Sequence, residues 1–123
     1  MENMNNEVKN LVGAPSSEIA EAIREALDSK KGKDIKVIKV GDKTVIADYF
    51  VIANGTSSTH VRSLADEVEY KLGEAGIAHT GVDGYDSGIW IVMDYTTVMV
   101  HIFDRESREF FNLDKLYKET TEE

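Results

Sequence analysis

Cysteine is absent from this 123-residue chain. Without it there is no disulfide to staple the fold, no thiolate nucleophile and no cysteine-based zinc site. That usage fits a reducing compartment, and the expectation is a soluble, cytoplasmic protein. No N-terminal run resembles a signal peptide, and no stretch is apolar for long enough to cross a membrane. Positive charge is also scarce: 14 basic residues stand against 23 acidic ones, for a net charge of −9. A surface of that sign repels phosphate backbones, which argues against direct, unspecific nucleic-acid binding, and it attracts a basic partner. The common nucleotide and hydrolase signatures are missing: there is no GxGxxG, no GxxxxGK(S/T), no HExxH and no Gly-x-Ser-x-Gly elbow. Internal repeats and low-complexity segments are missing as well.

What is present suffices for one domain with a real core, since 41% of the residues are hydrophobic. The organising stretch runs from Ala47 to Ser63. Its segment Tyr49-Phe50-Val51-Ile52-Ala53 is apolar without alternation, the pattern of a strand covered on both faces. Asn54-Gly55 breaks the run, and Thr56, Ser57 and Ser58 are candidate N-caps for the helix that follows. Val61, Leu64, Ala65, Val68, Leu72 and Ala75 make that helix's apolar face, and Gly76 is its stop. A strand, a glycine turn and a helix start can also bind phosphate through free N–H groups. A well-capped turn is the simpler reading here.

Residues 1–15 read as a partly mobile N-terminal extension, 16–118 as the domain and 119–123 as a frayed tail. Ser16 and Ser17 are candidate caps of a first helix, with Ile19, Ala22, Ile23, Ala26 and Leu27 on one face and Lys30, Lys31 and Gly32 closing it. Ile35 to Val40 reads as a strand with Ile35, Val37 and Ile38 inward and Lys36 and Lys39 outward. The short loop to the next strand makes the two antiparallel. Ile77 to Val82 reads as a third strand, and Ile89 to Met93 with Val98 to Phe103 as a hairpin. Asp104 to Phe111 and Leu113 to Tyr117 read as short helical pieces. The fold class is α/β: a mixed sheet of about five strands with helices packed on it.

Several residues could carry chemistry. His60, His79 and His101 have no metal-ligand spacing, and His101, inside an apolar strand, reads as a structural or interface histidine. Asp83 and Asp86 flank Gly84-Tyr85; paired carboxylates can hold Mg²⁺ or trade a proton, but in a glycine-rich loop solvated aspartates are the default. A nucleotidyl-transfer site wants a Gly-Ser turn followed by two carboxylates on one strand, one residue apart. Gly55-Thr56-Ser57 has no such Asp-x-Asp companion. Neither a cofactor nor a metal is called for. Trp90 and Tyr95, with Asp83, Asp86 and Asp94 around them, combine aromatic and acidic groups that suit a basic protein surface. Arg105 and Arg108 sit among Glu106 and Glu109 and read as locally paired.

Three blocks carry a resemblance. ADYFVIANGTSSTHVRSLADEV, then Gly88 to Tyr95 with Val98 to Phe103, then Arg108 to Tyr117 resemble, in order and spacing, the ribosomal silencing factor or Iojap family, from about Ile19 to Tyr117. The family often has Gly-Asp where Thr96-Thr97 stands, and Phe-Tyr and a final Trp where Phe110-Phe111 and Tyr117 stand. The resemblance implies a small homodimeric protein of nucleotidyltransferase-like α/β fold that is not an enzyme. It implies binding to the large ribosomal subunit through ribosomal protein L-fourteen, so that the small subunit cannot dock. Translation then falls when nutrients are scarce, and a part in large-subunit assembly is implied too. Matched positions put Trp90, Asp94, Tyr95, His101 and Arg108 on or under the partner-binding face, with Asp83 and Tyr85 as weaker candidates. Two other readings stay open: a nucleotide-binding or nucleotidyltransferase-type enzyme, and a regulatory dimer for a small ligand.

Overall fold

The computed structural model describes residues 10–113. Most of the expected N-terminal extension, the helical piece beyond Leu113 and the frayed tail lie outside the described residues. In chain order the elements are α1 (Ser16–Ser29), β1 (Lys33–Lys39), β2 (Tyr49–Gly55), α2 (Ser58–Glu74), β3 (Gly81–Asp83), β4 (Trp90–Asp94), β5 (Val98–Asp104) and α3 (Arg105–Phe111). One mixed sheet carries all five strands in the order β1-β2-β5-β4-β3. Only the β2–β5 pair is parallel, with Tyr49 opposite Val98 and Gly55 opposite Asp104; β1–β2, β3–β4 and β4–β5 are antiparallel.

The unalternating apolar run in β2 is explained by its place. From Phe50 to Gly55 every residue is buried, because the strand has neighbours on both sides and side chains packed on both faces. Val51 and Ala53 join a larger cluster with α1, α2 and the inward residues of β4 and β5. Phe50 and Ile52 point the other way, into a smaller cluster with Ile38, Val40, Ala47 and Phe103, flanked by Trp90, Met99 and Leu113. The helix α2 lays Val61, Leu64, Ala65, Val68 and Leu72 on the first face, and α1 lays Ile19, Ile23, Ala26 and Leu27 beside it. Burying a leucine- or isoleucine-sized side chain contributes about 1.5–3 kcal/mol, so these two apolar stripes hold the layers together.

Three expectations need correction. The first helix is not capped by Ser16 or Ser17: Pro15 is the N-cap and no side chain caps the helix. Proline at a helix start is already at helical φ, so both serines fall inside the first turn. Its end is made by Lys31, whose φ is 65°, while the Gly32 N–H bonds back to the Leu27 carbonyl. The third strand is Gly81–Asp83, not Ile77 to Val82. Ile77 instead donates its N–H to the Leu72 carbonyl to finish α2, and pairing with β4 begins only where Thr80 donates to the Asp94 carbonyl. In the loop between β1 and β2, Val45 and Ile46 are both exposed. Ahead of α1, Leu11 is buried and bonds the Ala75 carbonyl, so residues just before the first helix pack on the core.

Two glycines make opposite demands. Gly84 has φ +83°, and a Cβ there would lie 2.1 Å from the Trp90 carbonyl oxygen. Gly73, inside α2, would meet nothing within 4 Å. Gly84→Ala is expected to cost at least ~2 kcal/mol, through backbone strain and collision. Gly73→Ala is expected to gain ~0.5–1 kcal/mol from helix propensity. Urea midpoints at unchanged slope measure both; equal midpoints for the two variants would contradict this placement of the β3–β4 loop.

Candidate functional site

The parallel pairing of β2 and β5 brings two helix starts to one end of the sheet. There β2 runs through Gly55 into α2, and β5 runs through Asp104 into α3. At the first junction Ser57 is the N-cap, its hydroxyl accepting the His60 N–H at 3.1 Å. His60 closes the turn on itself. Its Nδ1 accepts the Thr56 N–H at 2.9 Å, which leaves Nε2 to donate to the Lys30 carbonyl at 2.9 Å. The imidazole thus ties the end of α1 to the start of α2. The Val61 N–H goes to the Ser57 carbonyl. Three N–H groups at this turn, those of Thr56, His60 and Val61, are thus taken by acceptors of the turn itself.

At the second junction Asp104 caps α3 by accepting the Ser107 N–H at 2.8 Å. One turn later Arg108, only 9% exposed, reaches back to β2. Its Nη1 donates to Asn54 Oδ1 at 2.9 Å and to the Lys33 carbonyl at 3.4 Å. A cleft of about 290 Å³ opens here, lined by Asp34, Asn54, Arg105, Arg108, Glu109 and Asn112. Sequence reasoning missed Asn54, because Asn before Gly reads as a turn, whereas Asn54 is a buried strand residue.

On the sheet face away from α1 and α2, Trp90 of β4 and His101 of β5 meet. The indole Nε1 donates to His101 Nδ1 at 3.1 Å, which places the imidazole proton on Nε2. That Nε2 is buried and makes no hydrogen bond among the described residues. Phe50 sits 4.5 Å from the His101 ring centroid, and Phe103 stacks on Trp90 at 5.1 Å. Burial among these rings lowers the His101 pKa to about 4. Trp90 itself stays half-buried, with the imidazole and Phe103 as its support.

The expected contact residues therefore do not form one cluster. Trp90 and His101 share the aromatic face. Asp94 lies at the far end of β4, in the hairpin turn, where its carboxylate accepts the Thr96 N–H at 2.8 Å. Thr96 takes a φ of 75°, and the Asp94 acceptor lets the turn form without glycine. Tyr95 turns into the core on the helical face, 4% exposed, with its hydroxyl buried and unbonded among the described residues. Burial first, and then the charge of Glu69, push the phenol well above its ordinary pKa. The His79 ring stands edge-on to Tyr95 at 6.1 Å, and its Nε2 is 3.1 Å from Glu69 Oε2. Arg108 is at the opposite end, on α3. Asp83 and Tyr85 belong to the β3 edge. There the Tyr85 hydroxyl donates to Asp66 at 2.9 Å, which raises its pKa, and Arg62 donates to the Asp86 carbonyl at 3.0 Å. Among the described residues no group of three or more His, Asp or Glu could hold a metal ion. No helix among them is long and apolar enough to cross a membrane.

Comparison with known proteins gives one consistent family. The family model described as ribosomal silencing factor during starvation matches residues 14–123. A ribosomal silencing factor from Haemophilus influenzae is 37% identical over 99 residues, covering 80% of this chain and 97% of its own. That of Bacillus subtilis is 34% identical over 92 residues, covering 75% and 78%. A mouse protein named for mitochondrial assembly of the ribosomal large subunit is 31% identical over 94 residues, covering 74% of this chain and 41% of its own. A crystal structure from Chromobacterium violaceum superposes with a TM-score of 0.81 at 33% identity, over 83% of this chain and 85% of that one.

The titration of His101 has a sign that can be checked. Its folded pKa of about 4 lies below the ~6.5 of an unfolded histidine. The unfolded chain therefore takes up the proton first. Stability is complete above pH ~6.5 and is lost as pH falls toward 4, by up to about 3 kcal/mol from this group. His101→Gln keeps an acceptor for the Trp90 N–H and cannot protonate in this range. Its urea midpoint is expected to fall less than that of the native chain between pH 6.5 and 4.5. Parallel pH profiles would refute the assignment.

Proposed function

The chain belongs to the ribosomal silencing factor family, and from that premise we propose that it binds the large ribosomal subunit through ribosomal protein L-fourteen and keeps the small subunit from docking. It acts in the cytoplasm as a homodimer, lowers translation when nutrients are short, and takes part in large-subunit assembly. The name of the mouse relative supports the last role. The observation that carries the reading is the family match, which runs over residues 14–123 and so takes in every strand and helix among the described residues. Blocking a docking event needs a surface of the right shape, not a catalytic group, and we read the protein as a stoichiometric binder rather than an enzyme.

The net charge of −9 favours a basic ribosomal protein as the contact. Within the contact face, Trp90 is the anchor: a half-buried aromatic, held by His101 and Phe103, can bury its remaining surface without losing side-chain freedom on binding. His101 and Arg108 act from beneath, by holding the indole and the α3 helix in place. Asp94 and Tyr95 shape the hairpin at the other end of β4, and Asp94 adds a half-exposed carboxylate there.

The test is co-sedimentation of the full chain with purified large subunits, followed by addition of small subunits. Binding together with a loss of joined ribosomes, without added nucleotide, is the expected result. Binding without any effect on joining would leave the assembly role alone, and failure to bind would overturn the reading. Trp90→Ala is expected to weaken binding at least ~10-fold, as removal of a hot-spot aromatic does. Trp90→Phe keeps the ring stack and serves as the folding control. Undiminished binding by a folded Trp90→Ala chain would remove this residue from the contact.

A further inference from the structure

The net charge of −9 hides a strong separation. Residues 30–43 hold six lysines, Lys30, Lys31, Lys33, Lys36, Lys39 and Lys43, against two aspartates, a local charge of +4 that leaves −13 for the rest of the chain. All six are exposed. The fold gathers them along one border, because β1 is an edge strand, with Lys30 and Lys31 leading into it and Lys43 just beyond it. Among the described residues Lys30, Lys31, Lys33, Lys39 and Lys43 make no ion pair. The opposite edge of the sheet is acidic: Asp83 lies on β3, Asp86 follows it, and α2 adds Asp66 and Glu69, all exposed.

Lysines on an edge strand have a general use, which is to keep the unpaired edge from adding another strand. Lys33, Lys36 and Lys39 would be enough for that. Lys30, Lys31 and Lys43 lie outside the strand, where no open ladder needs guarding, and they lengthen the positive border at both ends. Arg105 is exposed on the first turn of α3, and the Arg108 bond to the Lys33 carbonyl joins that helix to the same corner. At ~3.3 Å per residue the seven residues of β1 make a border roughly 20 Å long. A nucleic-acid strand carries a charge about every 3.4 Å of axis. The border can therefore run beside several successive phosphates.

We propose that the β1 edge is an RNA-backbone contact, and that on the large subunit these lysines lie against ribosomal RNA phosphates while the acidic and aromatic side meets protein. The inference rests on the ribosome-binding reading above. It also revises the expectation that an acidic chain makes no direct nucleic-acid contact: that expectation follows from the sum of charges, and the contact depends on where they sit. The contact reads backbone charge and carries no base specificity.

The test measures affinity for purified large subunits at several salt concentrations, for the native chain and for the triple variant Lys33→Gln, Lys36→Gln, Lys39→Gln. Each lysine is exposed, and a matching thermal melt checks folding. The variant is expected to bind on the order of 10-fold more weakly near 0.1 M salt. Its plot of log affinity against log salt is expected to be shallower by roughly 2, since each lost phosphate contact removes ~0.7–0.9 from the slope. An unchanged slope with native binding intact overturns the proposal and leaves the ribosome-binding reading standing. No binding by the native chain at any salt overturns both. A change in oligomeric mass with an unchanged slope would assign the edge to a second copy of this chain, which also overturns it. A second measurement uses the absence of native cysteine: an iron chelate tethered at Lys39→Cys is expected to cleave ribosomal RNA locally, whereas one at Glu25→Cys, on the outer helical layer, does not. Equal cleavage from both positions, or none from Lys39→Cys, goes against the contact.

Discussion

The pairing of β2 with β5 is the constraint on which the rest of this molecule depends. A parallel pair cannot be closed by a tight turn, so the chain between the two strands must cross over the sheet. Here it does so as α2, β3 and β4, which covers one face and extends the far edge in a single excursion. Because both strands run the same way, both deliver their carboxyl ends, and the helices that follow, to one end of the molecule. The clasps at that end are all consequences: Ser57 on His60, His60 on the Lys30 carbonyl, Asp104 on Ser107, and Arg108 on Asn54. Two are local caps, one ties α1 to α2, and one ties α3 to β2.

The two faces of the sheet solve different problems. The helical face is a conventional apolar layer, closed by α1 and α2. The other face is built from rings, and it includes a histidine kept neutral by burial and bonded to an indole. A buried N–H without a partner costs on the order of 1–3 kcal/mol, so His101 is a poor choice for stability alone. Its use is orientation, since an imidazole acceptor fixes one rotation of the Trp90 ring where a phenylalanine would allow several. Fixed aromatic groups at a half-buried position lose little entropy when a partner covers them, which is what suits Trp90 to the proposed contact.

Charge follows the same division. The sheet has a lysine edge at β1 and an acidic edge at β3, separated by the three inner strands. A protein that works on a ribosome must meet both basic proteins and phosphate backbones. A uniformly acidic surface would serve one and repel the other. On the proposed ribosome-binding reading, opposite signs on opposite edges would present each to its own neighbour and orient the domain as it approaches.

Much of this was legible in the sequence, for local reasons. The unbroken apolar run of β2, the helical spacing from Val61 to Leu72, a hydroxyl cap among Thr56, Ser57 and Ser58, and the hairpin around Asp94 each depend on neighbours a few residues away, and each was found where expected. The family, too, could be read from three ordered blocks. The short third strand could not, because Ile77 is drawn into the end of α2 and pairing starts only where β4 offers a partner. The grouping of the site residues was beyond sequence as well. Trp90, Asp94, Tyr95, His101 and Arg108 look like one set when aligned by motif. Strand alternation sends Tyr95 to the helical face and Trp90 with His101 to the other, and α3 holds Arg108 at the end of the sheet opposite Asp94. Composition fixed the sum of the charges at −9. Only the strand order, with β1 left at an edge, decided that six lysines would form a border of their own, because which strand lies outermost is settled by long-range pairing and not by any residue's immediate neighbours.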